Sequence, residues 1–302
     1  MVSVIYAKNI LKGENMKQVK YSILVPVYNK LRYLKKYFRF IANQEYLNYE
    51  IIVVDDNSND GSYEYLSNLE KEYSNLYVYK NSENVGLGEN RNILLSKAKG
   101  EYVLFVDPDD YVEIDLLKQI DFVNNNLDVI RYQNVIEPVT RNQKSKEAGK
   151  DKYRYSVKGT EIISGEEALL LWFLGERKIN TFPWTYVYKK ELFDNIHYPK
   201  TMILEDFAIT PFLIAKAKKV KAINYIGYHY LLYDDSLSKK DNDLEKVKAK
   251  LTLLKEMILL SEKLMDTIDL SDKTKKIYID DIWNRYYIRK EKINKMIESK
   301  EK

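Results

Sequence analysis

Hydrophobic residues in the first hundred or so positions fall into short, almost unbroken runs separated by amphipathic stretches. Tyr21–Val27 (YSILVPV) and Ile51–Asp55 (IIVVD) are apolar nearly throughout and rich in β-branched residues, as strands buried on both faces of a parallel sheet are. Between them, Leu31–Asn43 carries Leu34, Tyr37, Phe38 and Ile41 at helical spacing. The pattern then predicts a helix after Asp60-Gly61, a strand at Leu76–Tyr79, a helix at Gly88–Ala98 and a strand at Tyr102–Val106. Strands alternating with helices of about ten to fifteen residues imply right-handed βαβ units and an open, mostly parallel sheet.

The second half is less regular. Val129–Asn134 reads as a strand, and the polar, charged Thr140–Asp151 as a hairpin tip or loop. Helical patterns return at Gly165–Leu174 and Glu205–Lys216, with a strand near Val220–Ile226. Two helices close the chain, Asp243–Leu264 and Lys273 to about Glu298.

Composition narrows the functional classes. With no cysteine among 302 residues, disulfides, a thiolate nucleophile and cysteine-ligated zinc are excluded. A net charge of +4 on a chain with 31% charged residues gives little support for a nucleic-acid binder. No apolar stretch approaches the roughly 20 residues of a spanning helix, and the N-terminus lacks a basic region followed by an apolar core. The expectation is a cytoplasmic protein, at most peripheral on the inner face of the membrane.

In an open α/β sheet, ligands bind beyond the carboxyl ends of the strands. Pro26-Val27-Tyr28-Asn29 close the first strand, Asp55-Asp56-Asn57-Ser58 follow the second, and Asp107-Pro108-Asp109-Asp110 follow Leu104–Val106. A carboxylate after the second strand can accept from an imide N–H or a ribose hydroxyl, although Asp, Asn and Ser before Gly61 also suit a turn. Three carboxylates packed into 107–110 repel one another unless a cation neutralises them. Hard oxygen ligands suit Mg²⁺ or Mn²⁺, which would bridge a diphosphate. Arg91, on the helix after Asn84-Val85-Gly86-Leu87-Gly88, can pair with a pyrophosphate. Glu205-Asp206 opens a helix, where the macrodipole favours acidic residues in any case. His197 and His229 are too far apart in the chain to suggest a metal pair, and both read as structural.

SILVPVYN, IIVVDDNSNDGS, NVGLGENRN and GEYVLFVDPDD, followed by MILEDF and YHYLLYDDSLS, together resemble the family 2 glycosyltransferases with the GT-A fold. The resemblance spans roughly residues 20 to 240. It implies a GT-A-like, Rossmann-type, mostly parallel sheet flanked by helices, and inverting transfer from a nucleotide sugar, usually a UDP-sugar. By position, Pro26, Tyr28 and Asp56 would hold base and ribose, with Asp56 on the uracil imide and Arg91 near the nucleotide. Val27, Asn29, Asp55, Asp107 and Pro108 complete the expected donor-binding set. Asp107 and Asp109 match the Asp-x-Asp motif, with Asp109 as the direct ligand of Mn²⁺ or Mg²⁺. Asp206 matches the catalytic base, leaving Glu205 to position the loop or the acceptor. Two features depart from the family's pattern. No Gln-x-x-Arg-Trp follows the Glu-Asp pair, which argues against a processive synthase, and the arginine often found after the Tyr-x-Tyr strand is replaced by Leu231 and Leu232.

The sequence therefore reads as a GT-A domain over residues 1–240, with 1–19 an N-terminal extension, followed by a helical C-terminal region over 241–302. The expected partners are a nucleotide-sugar donor and a glycan, lipid-linked or glycoprotein acceptor, with no nucleic acid. The alternatives are a nucleotidyltransferase, which would normally carry a Gly-rich basic loop after its first strand, and a non-catalytic nucleotide-sugar-binding partner of another enzyme. Trp172, Trp184 and Tyr186 suit either sugar stacking or core packing. From Ser271 to Lys302, ten Lys or Arg accompany six Asp or Glu, interleaved with Trp283, Tyr286, Tyr287, Ile293 and Ile297. Such a stripe can lie on an anionic membrane, pack on the catalytic domain, or bury itself across a homodimer.

Overall fold

The computed structural model describes residues 18–139, 161–171, 181–201, 203–233 and 244–298. The first seventeen residues, Thr140–Asp151, Trp172 and Met202 lie outside them. The first half runs β1 (Tyr21–Val27), α1 (Leu31–Ala42), β2 (Tyr49–Asp55), α2 (Ser62–Glu70), β3 (Leu76–Lys80), α3 (Leu87–Lys97) and β4 (Tyr102–Phe105). β1 pairs in parallel with β2 on one side and β4 on the other, and β2 pairs in parallel with β3. The chain thus builds outward from β1 to β3, then returns to lay β4 on the opposite flank. The carboxyl ends of β1 and β4 mark the switch point, where such sheets open a crevice.

Side chains along β1 explain why no polar alternation is visible in its sequence. Tyr21, Ile23, Val25 and Val27 enter one core with Leu34, Phe38 and Ile41 of α1. Leu24 faces the other side with Ile52, Val54 and Leu94 of α3. Both faces are covered, so both must be apolar.

Beyond β4 come β5 (Tyr111–Val112), α4 (Leu116–Val123), β6 (Val129–Pro138), β7 (Ile162–Ile163), α5 (Gly165–Leu169), β8 (Tyr186–Lys189), α6 (Glu205–Lys216) and β9 (Val220–Leu232). β8 pairs antiparallel with both β4 and β6, β6 runs parallel to β9, and β5 and β7 pair antiparallel with β9. This flank was only partly visible in sequence. β8 is four residues between two 3₁₀ turns, and β5 is two residues, both too short for a period to show. Of the helix expected at Gly165–Leu174, Gly165–Leu169 is α-helical, and residues 172–174 lie outside the described residues. Trp184 and Tyr186 are core residues, 3% and 0% exposed.

Two long helices, α7 (Leu244–Met265) and α8 (Asp272–Glu298), complete the chain. Leu254, Ile258 and Met265 of α7 and Tyr278, Ile282 and Tyr286 of α8 join the same core as Leu24 and Ile52. Trp283 packs against it and donates its indole N–H to Glu262 at 2.6 Å. The aromatic stripe of α8 is therefore divided: Tyr286 faces the protein, while Tyr287 is 58% exposed. Among the described residues, no helix is long and apolar enough to cross a membrane.

This division predicts a contrast within one helix. Ile282→Ala removes a buried branch and should cost about 2–5 kcal/mol of unfolding free energy, whereas Ile288→Ala, at a position 46% exposed, should stay within about 0.5 kcal/mol. Urea denaturation of the two variants measures the difference, and equal values would mean that α8 does not pack as described.

Candidate active site

Parallel pairing puts the carboxyl ends of β1, β2 and β4 at one edge of the sheet, and short polar residues turn the chain sharply there. Asn29 and Asn57 adopt left-handed backbone (φ 52° and 62°) just past β1 and β2, a conformation asparagine tolerates better than most residues. The two ends are tied together: Asn29 N–H donates to Ser58 Oγ at 2.8 Å, and Asn59 N–H donates to Asn29 Oδ1 at 3.0 Å. Beyond them lies a cavity of about 460 Å³. It is lined by Pro26, Val27, Tyr28, Asn29, Lys30, Tyr33 and Asp56, by Asn84, Leu87 and Asn90, and by Asp107, Pro108, Asp109, Asp110, Tyr230, Leu231 and Tyr233.

Seven of the nine expected donor-binding residues meet at this wall, and two do not. Asp55 lies fully buried behind the cavity and accepts from Ser58 N–H at 2.8 Å, a turn-closing role. Asp56 lines the cavity but is already engaged, accepting from Asn81 Nδ2, Val85 N–H and Gly86 N–H at 2.8, 2.9 and 3.0 Å. Gly86 sits at φ 87° to permit this turn. A carboxylate has about four lone-pair sites, so Asp56 keeps one for a ligand.

Arg91 is the second departure. It does not line the cavity: its side chain is 3% exposed, forms an ion pair with Glu205 and lies 3.8 Å from Asp107. The rings of Phe105 and Tyr198 cover it, their centroids 5.5 and 5.6 Å from its guanidinium carbon. Burial pulls its pKa down, but Glu205 and then Asp107 more than offset that and hold it charged. Gly88 makes the arrangement possible: a Cβ there would lie 1.9 Å from the Pro199 carbonyl oxygen. α3 can thus press its first turn against the chain leading to Glu205, and Gly88 N–H donates to Thr201 O at 3.2 Å.

The four residues of the 107–110 loop divide their work. Asp110 is buried, accepting from Tyr228 OH and Leu231 N–H, each at 2.8 Å, and so anchors the loop to β9. Burial pushes its carboxyl well above the usual range, with Asp109 and Asp107 adding to the effect. Asp107 and Asp109 remain 27% and 29% exposed. Burial raises Asp107 to about 6, against the pull of Arg91. Asp109 meets the Lys30 ammonium at 2.5 Å. Sequence reasoning missed Lys30; its position directly after the Tyr28-Asn29 turn was the available signal.

Glu205 and Asp206 open α6, as expected, after Leu204 in left-handed backbone at φ 63°. Glu205 is 4% exposed and committed to Arg91. Asp206 is half-buried and accepts from Thr181 Oγ1 at 3.1 Å. Burial, and then Glu205, raise its carboxyl to about 7, with Arg91 opposing. His229 serves elsewhere, stacked on Tyr111 with a ring separation of 4.1 Å between Glu113 and Glu137.

A family model described as Glycosyl transferase family 2 matches residues 22–200. The chain belongs to glycosyltransferase family 2. GlyA of Streptococcus pneumoniae serotype 4, a glycosyltransferase, is 29% identical over 230 residues, covering 73% of this chain and 32% of GlyA. A poly(ribitol-phosphate) beta-glucosyltransferase of Bacillus spizizenii is 29% identical over 224 residues, covering 72% of this chain and 33% of that protein. The chain thus matches about a third of the length of either relative. Residues 1–349 of S. aureus TarS, crystallised with UDP-GlcNAc, superpose with a TM-score of 0.67 at 22% identity, over 89% of this chain and 72% of that one. The shared fold is the mostly parallel, helix-flanked GT-A sheet.

The Arg91 geometry carries a prediction that separates a structural role from a nucleotide contact. Arg91→Met leaves Glu205 buried without its partner and should lower unfolding free energy by about 3–5 kcal/mol. Chemical denaturation measures this. A variant of unchanged stability would mean that Arg91 is not the buried partner of Glu205.

Proposed function

We propose that this glycosyltransferase moves a single sugar from a uridine nucleotide sugar to a cell-surface glycan or its lipid-linked or protein-linked precursor, by a divalent-cation-dependent inverting displacement. The observation that carries the reading is the gathering of Asp56, Asp107 and Asp109 around one cavity, with Arg91 joining Asp107 to the helix junction that bears Asp206. The uridine donor and the surface-glycan acceptor draw support from the relatives' names and from UDP-GlcNAc in the TarS structure. Family membership sets the nucleotidyltransferase alternative aside. A carboxylate held near neutrality at Asp206 favours an enzyme over a non-catalytic binder. The same reading takes residues 1–240 as the catalytic unit and 241–302 as the helical region packed on it.

The donor set fits Mn²⁺ or Mg²⁺. Asp107 and Asp109 offer hard oxygens, and Asp109 already draws a cationic side chain to itself. Among the described residues, no group of three or more His, Cys, Asp or Glu is placed to hold a metal, so diphosphate oxygens would complete the shell. A bound divalent cation would offset charge on the departing diphosphate. Asp56, with its spare lone pair, would take the uracil imide, and Pro26 and Tyr28 would flank the base and ribose. Asp107 and Asp109 are committed to the cation, Asp110 to β9 and Glu205 to Arg91. Asp206 is left to take the acceptor hydroxyl's proton, and Thr181 occupies only one of its oxygens.

Calorimetry tests the donor site. UDP should bind more tightly with Mn²⁺ than with chelator, and Asp109→Asn should remove the difference; equal affinities in the wild type would sink the cation claim.

A separate prediction concerns the base. Asp206→Asn should keep UDP affinity near wild type while UDP release during turnover falls roughly 10²-fold or more. A general base works only when deprotonated. With Asp206 raised to about 7, kcat/KM should therefore fall by about tenfold per pH unit below that value and level off above it. A flat profile from pH 5.5 to 8 would remove Asp206 from this role.

A further inference from the structure

Among the described residues lining the cavity, Lys30 is the single lysine or arginine. Arg91 is turned to Glu205, and the wall formed by Tyr230, Leu231 and Tyr233 contributes no cation. Lys30 is fixed at its backbone, where its N–H donates to Ser62 Oγ at 3.0 Å. Its ammonium lies 2.5 Å from Asp109 Oδ2 and 5.2 Å from the centre of the Tyr33 ring, and its side chain is 28% exposed. The anchored backbone and partly exposed, flexible stem let the charged end swing while the attachment point stays in place.

We infer that Lys30 is an internal counter-cation that makes divalent-cation binding depend on the donor: its ammonium neutralises Asp109 until a nucleoside diphosphate enters, then passes to a phosphate oxygen and frees Asp109 for the metal. The inference rests on the donor site proposed above. Charge balance drives it. Asp107 and Asp109 carry two negative charges, and Lys30 already cancels one. A divalent cation arriving alone must displace the ammonium and then lie beside it, so two positive centres would share two carboxylates at short range. A diphosphate arriving with the metal supplies the missing negative charge and gives the displaced ammonium a charge-assisted hydrogen bond. Each ligand therefore raises the other's affinity, and by linkage the factor is the same in both directions.

Titration calorimetry on the full chain tests this, using MnCl₂, UDP and uridine as probes against wild type, Lys30→Gln and Lys30→Met. In the wild type, UDP should tighten Mn²⁺ by a factor within the roughly 5- to 150-fold range typical of coupled sites. Without Lys30, Mn²⁺ alone should bind about tenfold more tightly, and UDP with Mn²⁺ should weaken by roughly tenfold to a hundredfold, the scale of one hydrogen bond to a charged group. Uridine, which has no phosphate, should bind both variants as it binds the wild type. Lys30→Met, with a stem of similar volume and no charge, should match Lys30→Gln.

Wild type that binds no UDP in the presence of Mn²⁺ would overturn the donor site and this inference together. Wild type that binds UDP, with variants unchanged for both Mn²⁺ and UDP, would overturn the inference alone. Loss of uridine binding in parallel with UDP would also overturn it, because Lys30 would then be shaping the nucleoside pocket. Wild-type Mn²⁺ affinity that is equal with and without UDP overturns it whatever the variants do.

Discussion

Arg91 lies almost out of reach of water, ion-paired with Glu205 and 3.8 Å from Asp107. The rest of the site depends on that contact. Moving an unpaired charge out of water costs several kcal/mol, so neither Arg91 nor Glu205 can hold its position alone. Arg91 comes from α3, Glu205 from the start of α6 and Asp107 from the turn after β4. Three segments distant in sequence therefore form one electrostatic unit, and a shift in any of them exposes the others to an uncompensated buried charge. The glycine at 88 belongs to the same constraint, since only a residue without Cβ lets the first turn of α3 approach Pro199 closely.

From this follows a division of labour among carboxylates that look alike in sequence. Asp55 closes a turn, Asp110 anchors a loop and Glu205 balances Arg91. Each is buried with a backbone or ionic partner, as a buried carboxylate must be. Asp107, Asp109 and Asp206 retain exposure or spare oxygens, and they are the residues assigned to the proposed chemistry. Asp56 lies between the two groups. It shapes the 81–86 turn with three accepted hydrogen bonds and still borders the cavity. Losing it would loosen that turn as well as any contact to a base.

The parallel half of the fold was legible because burial on both faces leaves unbroken apolar runs, and chain direction then places three strand ends together. Asp107, Asp109, Asp56 and the Pro26–Asn29 turn could be located from that alone. The antiparallel flank could not. β8 and β5 are held by neighbours rather than by any pattern of their own, and only the burial of Trp184 and Tyr186 assigns them to the core rather than to sugar stacking. The partner of Arg91 was hidden for a different reason: its helix and its proximity to the loops were readable, but not its ion pair. Glu205 lies 114 positions away in the chain, and no local spacing reports such a partner. Lys30 escaped notice because a lysine at the start of a helix is usually solvated, and only the folded loop at Asp109 gives it an ion-pair partner.

The start of α6 shows two tendencies in competition. A helix N-terminus favours ionised carboxylates through its dipole, typically by 0.3–1 kcal/mol at exposed positions. Asp206, in the first turn of α6, is nonetheless raised to about 7, chiefly by burial and then by Glu205 beside it. Burial wins on magnitude, because the dipole's contribution is small beside the several kcal/mol that removing a carboxylate charge from water costs. Arg91 opposes the rise but is already neutralised by Glu205, so Asp206 feels its positive charge only in part. The left-handed Leu204 belongs to the same balance. A non-glycine residue there costs about 1–3 kcal/mol, yet it bends the chain so that α6 begins at once with Glu205 turned to Arg91 and Asp206 toward Thr181. The strain is tolerated because the buried ion pair and the α6 core, with Ile209, Phe212 and Leu213 packed inside, hold the helix in place. One locally unfavourable residue thus sets the geometry on which the proposed base depends.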